Sequence, residues 1–156
     1  MTKKPIQRSL LAAGLCLLAA CTAGSMEVRL EPPALQVESL RIENDRVHFR
    51  LLVHNRNDHE LLLQSAAMSM RIGNAELFDA AWELDLDIGA RGRELVRLDA
   101  PAMPIGAEIL TGLGASPGTS VEFELSSNIA IDGQRDAETV QEGFLFPVPG
   151  QAGQFR

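Results

Sequence analysis

Apolar and polar residues alternate along Val47-His48-Phe49-Arg50-Leu51-Leu52-Val53-His54, with Val47, Phe49, Leu51 and Val53 on one side. A period of two is that of a β-strand with one face buried. The stretch before it, Leu35 to Ile42, has apolar residues at Leu35 and Val37, then at Leu40 and Ile42. Its phase flips near Glu38-Ser39, which predicts a β-bulge there. Asn44-Asp45 are turn formers, so the two stretches are predicted to be a hairpin.

The same pattern recurs downstream. Leu61-Leu62-Leu63 leads into Ala66, Met68, Met70 and Ile72 on one face, and Gly73-Asn74 signals a turn. Glu76 to Ile88 reads as extended, with Leu84, Leu86 and Ile88 alternating against Asp85 and Asp87. Gly89-Ala90-Arg91-Gly92 turns the chain, and Glu94 to Leu98 is another strand. Val121, Phe123 and Leu125 open a long strand reaching Ile131, Asp132-Gly133 is a hairpin signal, and Val140 to Val148 is the last strand, ended by Pro147 and Pro149. One segment differs. Pro104 to Leu113 puts Ile105, Ile109 and Leu110 on one helical face, with proline first and glycine near the end, and predicts a short helix over 104–112 crossing between sheets. About seven short strands with frequent turns predict an all-β, immunoglobulin/fibronectin III-like β-sandwich over residues 34–149, followed by a tail at 150–156.

The first residues follow another logic. Lys3, Lys4 and Arg8 precede an apolar run from Leu10 to Leu18, the charged and hydrophobic regions of a secretory signal over residues 1–20. The run is about half the ~20 residues that span a bilayer. Leu18-Ala19-Ala20-Cys21 resembles the lipobox of bacterial lipoproteins: a branched apolar residue, two small residues, then cysteine. The resemblance implies cleavage before Cys21 and acyl chains such as palmitate on its thiol. It implies three chains after full processing, and two already hold a protein stably on a membrane. Thr22, where an aspartate would retain a lipoprotein at the inner membrane, implies sorting to the periplasmic face of the outer membrane of a Gram-negative bacterium. Residues 21–33 read as a lipidated tether, small and polar at Thr22-Ala23-Gly24-Ser25 and stiffened by Pro32-Pro33.

Charge then narrows the partners. Without residues 1–20 the chain loses Lys3, Lys4 and Arg8 from its 14 bases and keeps all 21 acids, which leaves 11 arginines and a formal charge of −10. Such a balance predicts no basic stripe, no nucleic-acid partner and no adsorption to anionic head groups, so the membrane is met through the lipid alone. Cys16 lies in the discarded segment and Cys21 is acylated, so no thiol is left for a disulfide, a nucleophile or a metal.

The order of elements resembles the late embryogenesis abundant type 2 family, which contains the water-stress and hypersensitive-response (WHy) domain. Phe49 to His54 followed by Asn55-Arg56-Asn57 matches the family's strand and Asn-Pro-Asn turn, with arginine in place of proline. Leu61-Leu62-Leu63, Gly73-Asn74, and Asp132-Gly133 through Gly143 to Pro147 match the later pieces, so the likeness covers roughly residues 33 to 149. It implies a globular sandwich linked to desiccation, cold and other stress, and it marks Asn55 and Asn57 as the turn motif.

Candidate chemistry is sparse. His48 and His54 share a strand face but lie ~20 Å apart at the strand rise, too far for one metal ion, and His59 lies beyond the turn. Glu83, Asp85 and Asp87, and likewise Glu122 and Glu124, read as solvated strand faces rather than a calcium loop. No nucleophile elbow or phosphate loop is present, and Trp82, the one tryptophan, reads as core. The expectation is a non-enzymatic domain without cofactor or metal. Either it protects stress-labile clients or it binds an envelope protein partner and localises a transport or secretion assembly.

Overall fold

The computed structural model describes residues 30–116 and 118–156. The expected signal peptide 1–20, Cys21 and the tether through residue 29 lie outside the described residues. Strand β1 (Ala34–Glu43) and strand β2 (Arg46–His54) form the expected hairpin. Asn44 and Asp45 take φ of 51° and 59°, the left-handed pair that a two-residue type I′ turn needs. The pairing shifts register between Val37 and Ser39, so Glu38 is the extra residue that the phase flip predicted.

Strands β3 (Leu61–Ile72), β4 (Ala75–Ile88), β5 (Arg93–Pro101), β6 (Val121–Ile131), β7 (Ala137–Leu145) and β8 (Gln154–Phe155) complete two antiparallel sheets. Sheet 1 runs β5-β2-β1-β8 and sheet 2 runs β4-β3-β6-β7. Helix α1 (Pro104–Gly114) carries the chain from sheet 1 to sheet 2, as its sequence predicted. The result is a β-sandwich, with inward residues such as Val47, Phe49, Leu63, Met70, Phe123 and Leu125 meeting between the sheets. Phe49 stacks on Phe78 at 5.0 Å, and Trp82 meets both rings edge-on at 5.7 and 6.1 Å. Trp82 is half-buried at the rim of this core, where its Nε1–H donates to the Asp99 carbonyl at 3.0 Å and joins β4 to β5. On the opposite side the Gln141 side-chain carbonyl accepts the Val37 N–H at 3.2 Å, joining β7 to β1 beside the bulge. Both open sides of the sandwich are thus closed by a side chain reaching the other sheet's backbone.

Four expectations need correction. The last long strand spans 137–145 rather than 140–148, because Ala137 and Thr139 pair with Ile129 and Ser127 before Val140 is reached. The segment 150–156 is not a loose tail. Gly150 and Gly153, at φ of 77° and 72°, fold it back, and Phe155 is wholly buried beside Leu40 of β1. A Cβ on Gly153 would lie 2.9 Å from the Ile42 carbonyl oxygen, so a bare backbone is required there. Of the expected face Ile105, Ile109 and Leu110, helix α1 buries Leu110, together with Gly106, while Ile105 is 68% exposed and Ile109 37%. Gly106 decides this: its Cα seats against the β4 backbone, where a Cβ would approach the Glu76 carbonyl at 2.6 Å. Finally, the end of the tether is docked, with Pro33 buried and Leu30 packed on the core.

Candidate functional site

The Asn55-Arg56-Asn57 turn follows β2 at one end of the sandwich. Both asparagines face inward, Asn55 with no exposed surface and Asn57 at 8%. A buried amide must meet partners at every polar atom, because each orphaned group costs about 1–3 kcal/mol. Asn55 Nδ2 donates to the carbonyls of His59 (2.7 Å), Ile88 (3.1 Å) and Gly89 (3.0 Å). Its Oδ1 accepts the Asn57 N–H at 2.9 Å and Asn57 Nδ2 at 3.0 Å. Asn57 then grips Glu31 from both sides: Oδ1 accepts the Glu31 N–H at 2.7 Å, and Nδ2 donates to the Glu31 carbonyl at 2.9 Å. Backbone bonds from Asn55 N–H to Gly92 O (3.0 Å) and from Arg91 N–H to Asn57 O (2.9 Å) add the β4–β5 turn.

The two asparagines therefore join three pieces of chain: the segment entering the domain, the β2–β3 connection and the β4–β5 turn. Arg56, where the family has proline, points outward, with Nε 3.6 Å from Glu31 and a bond to the Pro32 carbonyl. It adds an exposed contact to the same entering segment. Arg91 binds Asp58 at 2.7 Å. The hydrogen bond and then the charge of Arg91 hold the Asp58 carboxyl below its ordinary pKa, and Asp58 raises that of Arg91.

The two outer faces carry opposite charge. On sheet 1, register places Arg50 directly opposite Arg97, with Arg41, Arg46 and Arg93 on the same face. Arg46 binds Asp99 through Nε (2.9 Å) and Nη2, and Arg41 lies 3.2 Å from Glu43. Neither Arg50 nor Arg97 has an acidic partner in salt-bridge range among the described residues. These two arginines line a shallow groove of about 330 Å³ with His48 and Asp99. The expectation of no basic stripe is corrected here: summed charge does not see that strands distant in sequence bring arginines together. On sheet 2, β4 presents Asp79, Glu83 and Asp87 outward. Glu124 of β6 lies directly opposite Glu142 of β7, and Arg71 is the one base on this face among the described residues.

His48 and His54 lie on the outer side of β2 as the alternation predicted, with Val47, Phe49, Leu51 and Val53 buried behind them. Among the described residues no group of three or more histidine, cysteine or carboxylate side chains is placed to hold a metal ion. No helix among them is long and apolar enough to cross a membrane.

No protein-family model matches the chain, and no curated protein matches it in sequence. Solved structures do resemble it. The Arabidopsis thaliana protein AT1g01470, solved in solution, superposes with a TM-score of 0.57 at 14% identity, over 80% of this chain and 88% of that one. The chain shares the fold of that plant protein. A protein from Archaeoglobus fulgidus has a TM-score of 0.47 at 8% identity, covering 74% of this chain and 94% of its own. The protein At2g46140.1, described as late embryogenesis abundant (LEA), has a TM-score of 0.47 at 10% identity, covering 74% of this chain and 72% of its own. At such identities the likeness is one of fold. The sandwich that the family resemblance implied is the sandwich observed.

Proposed function

We propose that this is a non-enzymatic, lipid-anchored envelope protein whose late embryogenesis abundant type 2-like domain protects the cell against desiccation and related stress. The observation that carries this reading is the Asn55–Asn57 pair. The residues that match the family motif form the buried knot fastening the domain to the segment leading from Cys21. The fold shared with AT1g01470 supports it. The domain is then a stable, charged body held at the outer membrane through acyl chains on Cys21.

A deletion strain is expected to lose viability on drying and freezing, and the intact gene to restore it. The purified chain is expected to preserve a labile enzyme through a dehydration cycle. Equal survival of mutant and parent, with no protection in vitro, counts against the proposal.

A second reading is a protein-binding module that localises an envelope assembly. It is favoured by Val140 and Phe144, which stand 64% and 60% exposed on edge strand β7. Crosslinking in intact envelopes followed by affinity recovery tests it, and the absence of a reproducible partner excludes it.

A further inference from the structure

We propose that copies of this chain associate face to tail, the arginine face of sheet 1 on one copy lying against the carboxylate face of sheet 2 on the next. Like charges directly opposite each other on neighbouring strands destabilise a sheet. Among the described strands each outer face holds such a pair: Arg50 beside Arg97, and Glu142 beside Glu124, whose other cross-strand neighbour is Arg71 of β3. Both pairs are direct cross-strand neighbours, about 4.5–5.5 Å apart at Cβ. A couple of guanidinium groups on one copy can thus meet a couple of carboxylates on another. Contact compensates Arg50, Arg97 and Glu142 and adds to the charge that Arg71 already sets beside Glu124, and arginine binds carboxylates through a planar fork.

Apolar positions fall beside the charges on both faces. Leu52 is paired with Leu95 two residues along from Arg50 and Arg97. Val140 and Phe144 flank Glu142 on the outer side of β7. Each face therefore offers apolar surface next to charge, the composition of a protein contact. A small anion seated between Arg50 and Arg97 would leave the opposite, acidic face without a role, whereas a second copy engages both. The faces are different surfaces of one domain, so the contact is heterologous and repeats along a row. Glu31 is held at the strand ends by Asn57, away from Arg50, Arg97, Glu124 and Glu142 in register. If the lipid-anchored reading holds, the copies that meet are held on the same membrane. The association itself does not depend on that reading.

The test uses the purified full chain in detergent micelles, followed by sedimentation velocity. Association is expected at about 0.05 M salt and dissociation at about 1 M, where screening acts within ~3 Å. The double reversals Arg50→Glu/Arg97→Glu and Glu124→Arg/Glu142→Arg are each expected to weaken self-association by about 100-fold or more. An equimolar mixture of the two variants should recover it, because one then carries two acidic faces and the other two basic ones. Arg50→Gln/Arg97→Gln, milder at exposed positions, should weaken association in the same direction, and circular dichroism verifies each fold. A monomer at every salt concentration overturns the proposal. So does association that survives either reversal, or a mixture that does not recover. Binding of inorganic phosphate or anionic vesicles through Arg50 and Arg97 by a chain that stays monomeric also overturns it, in favour of a simple anion site.

Discussion

Asn55 Oδ1 accepts both the backbone N–H and the side-chain Nδ2 of Asn57, at 2.9 and 3.0 Å. This relationship makes the two residues unequal. Asn55 satisfies three carbonyls from two different loops, whereas Asn57 chiefly holds Glu31. Asn55→Ala strands those carbonyls in a buried site and is expected to cost about 3 kcal/mol, while Asn57→Ala costs about 1 kcal/mol. Asn55→Asp is no remedy, because it sets an acceptor against three acceptors. Urea unfolding midpoints check the order. Limited proteolysis should show the Asn57→Ala chain cut sooner near Glu31. A smaller loss for Asn55→Ala than for Asn57→Ala would contradict the hub.

Phe155 is wholly buried at the end of the chain, on a strand of only two residues. It covers the edge of β1 and also bridges to Pro147, and the Phe146 N–H bonds to the Arg156 carbonyl at 2.9 Å. Truncating a buried phenylalanine to alanine removes packing that its surroundings refill poorly, so Phe155→Ala is expected to cost about 3–5 kcal/mol. Removal of residues 150–156 should cost at least as much and leave β1 as an open edge. A thermal melt unchanged in either variant would show that the last strand contributes nothing.

Much of this fold is legible one strand at a time. Val47, Phe49, Leu51 and Val53 announce β2 because a half-buried strand needs that period, and the phase flip at Glu38 marks the bulge for the same reason. Asn55 and Asn57 are legible as turn formers. Their burial is not, because their partners Glu31, Ile88 and Gly89 are supplied by distant chain. Arg50 and Arg97 are 47 positions apart, and only the β2–β5 register makes them neighbours. Phe155 fails for another reason: two residues show no periodicity, and the prolines at 147 and 149 read as an end when the chain in fact doubles back.

Asp58 and Arg91 give a pH signature confined to one loop pair. The Asp58 carboxyl is held below its ordinary value, mainly by the hydrogen bond from Arg91. A carboxylate with a depressed folded pKa stabilises the fold above its unfolded value, and that contribution disappears as pH falls through the folded midpoint. The pair is open to solvent, so its effect on global stability is small. Carbon-13 NMR titration should find the Asp58 midpoint below the ordinary aspartate value, and Arg91→Ala should raise it. An identical midpoint in both proteins would remove Arg91 as the cause.

The proposed acyl groups on Cys21 and the arginine face around Arg50 and Arg97 would be two separable attractions to a membrane. They respond differently to salt. Charge attraction across an exposed face is screened within ~3 Å at about 1 M salt, whereas buried acyl chains are not released by salt. The intact protein is therefore expected to stay with the membrane through a high-salt wash and to leave only with detergent. Cys21→Ala should appear in the aqueous fraction or as uncleaved precursor, with the sandwich folded, since the first strand of the sandwich begins at Ala34. Any Cys21→Ala protein left on anionic vesicles should come off in salt, and Arg50→Gln/Arg97→Gln should lower that residue. Release of the unaltered protein by salt alone, or a correctly cleaved Cys21→Ala chain that still needs detergent, would rule out the lipid anchor.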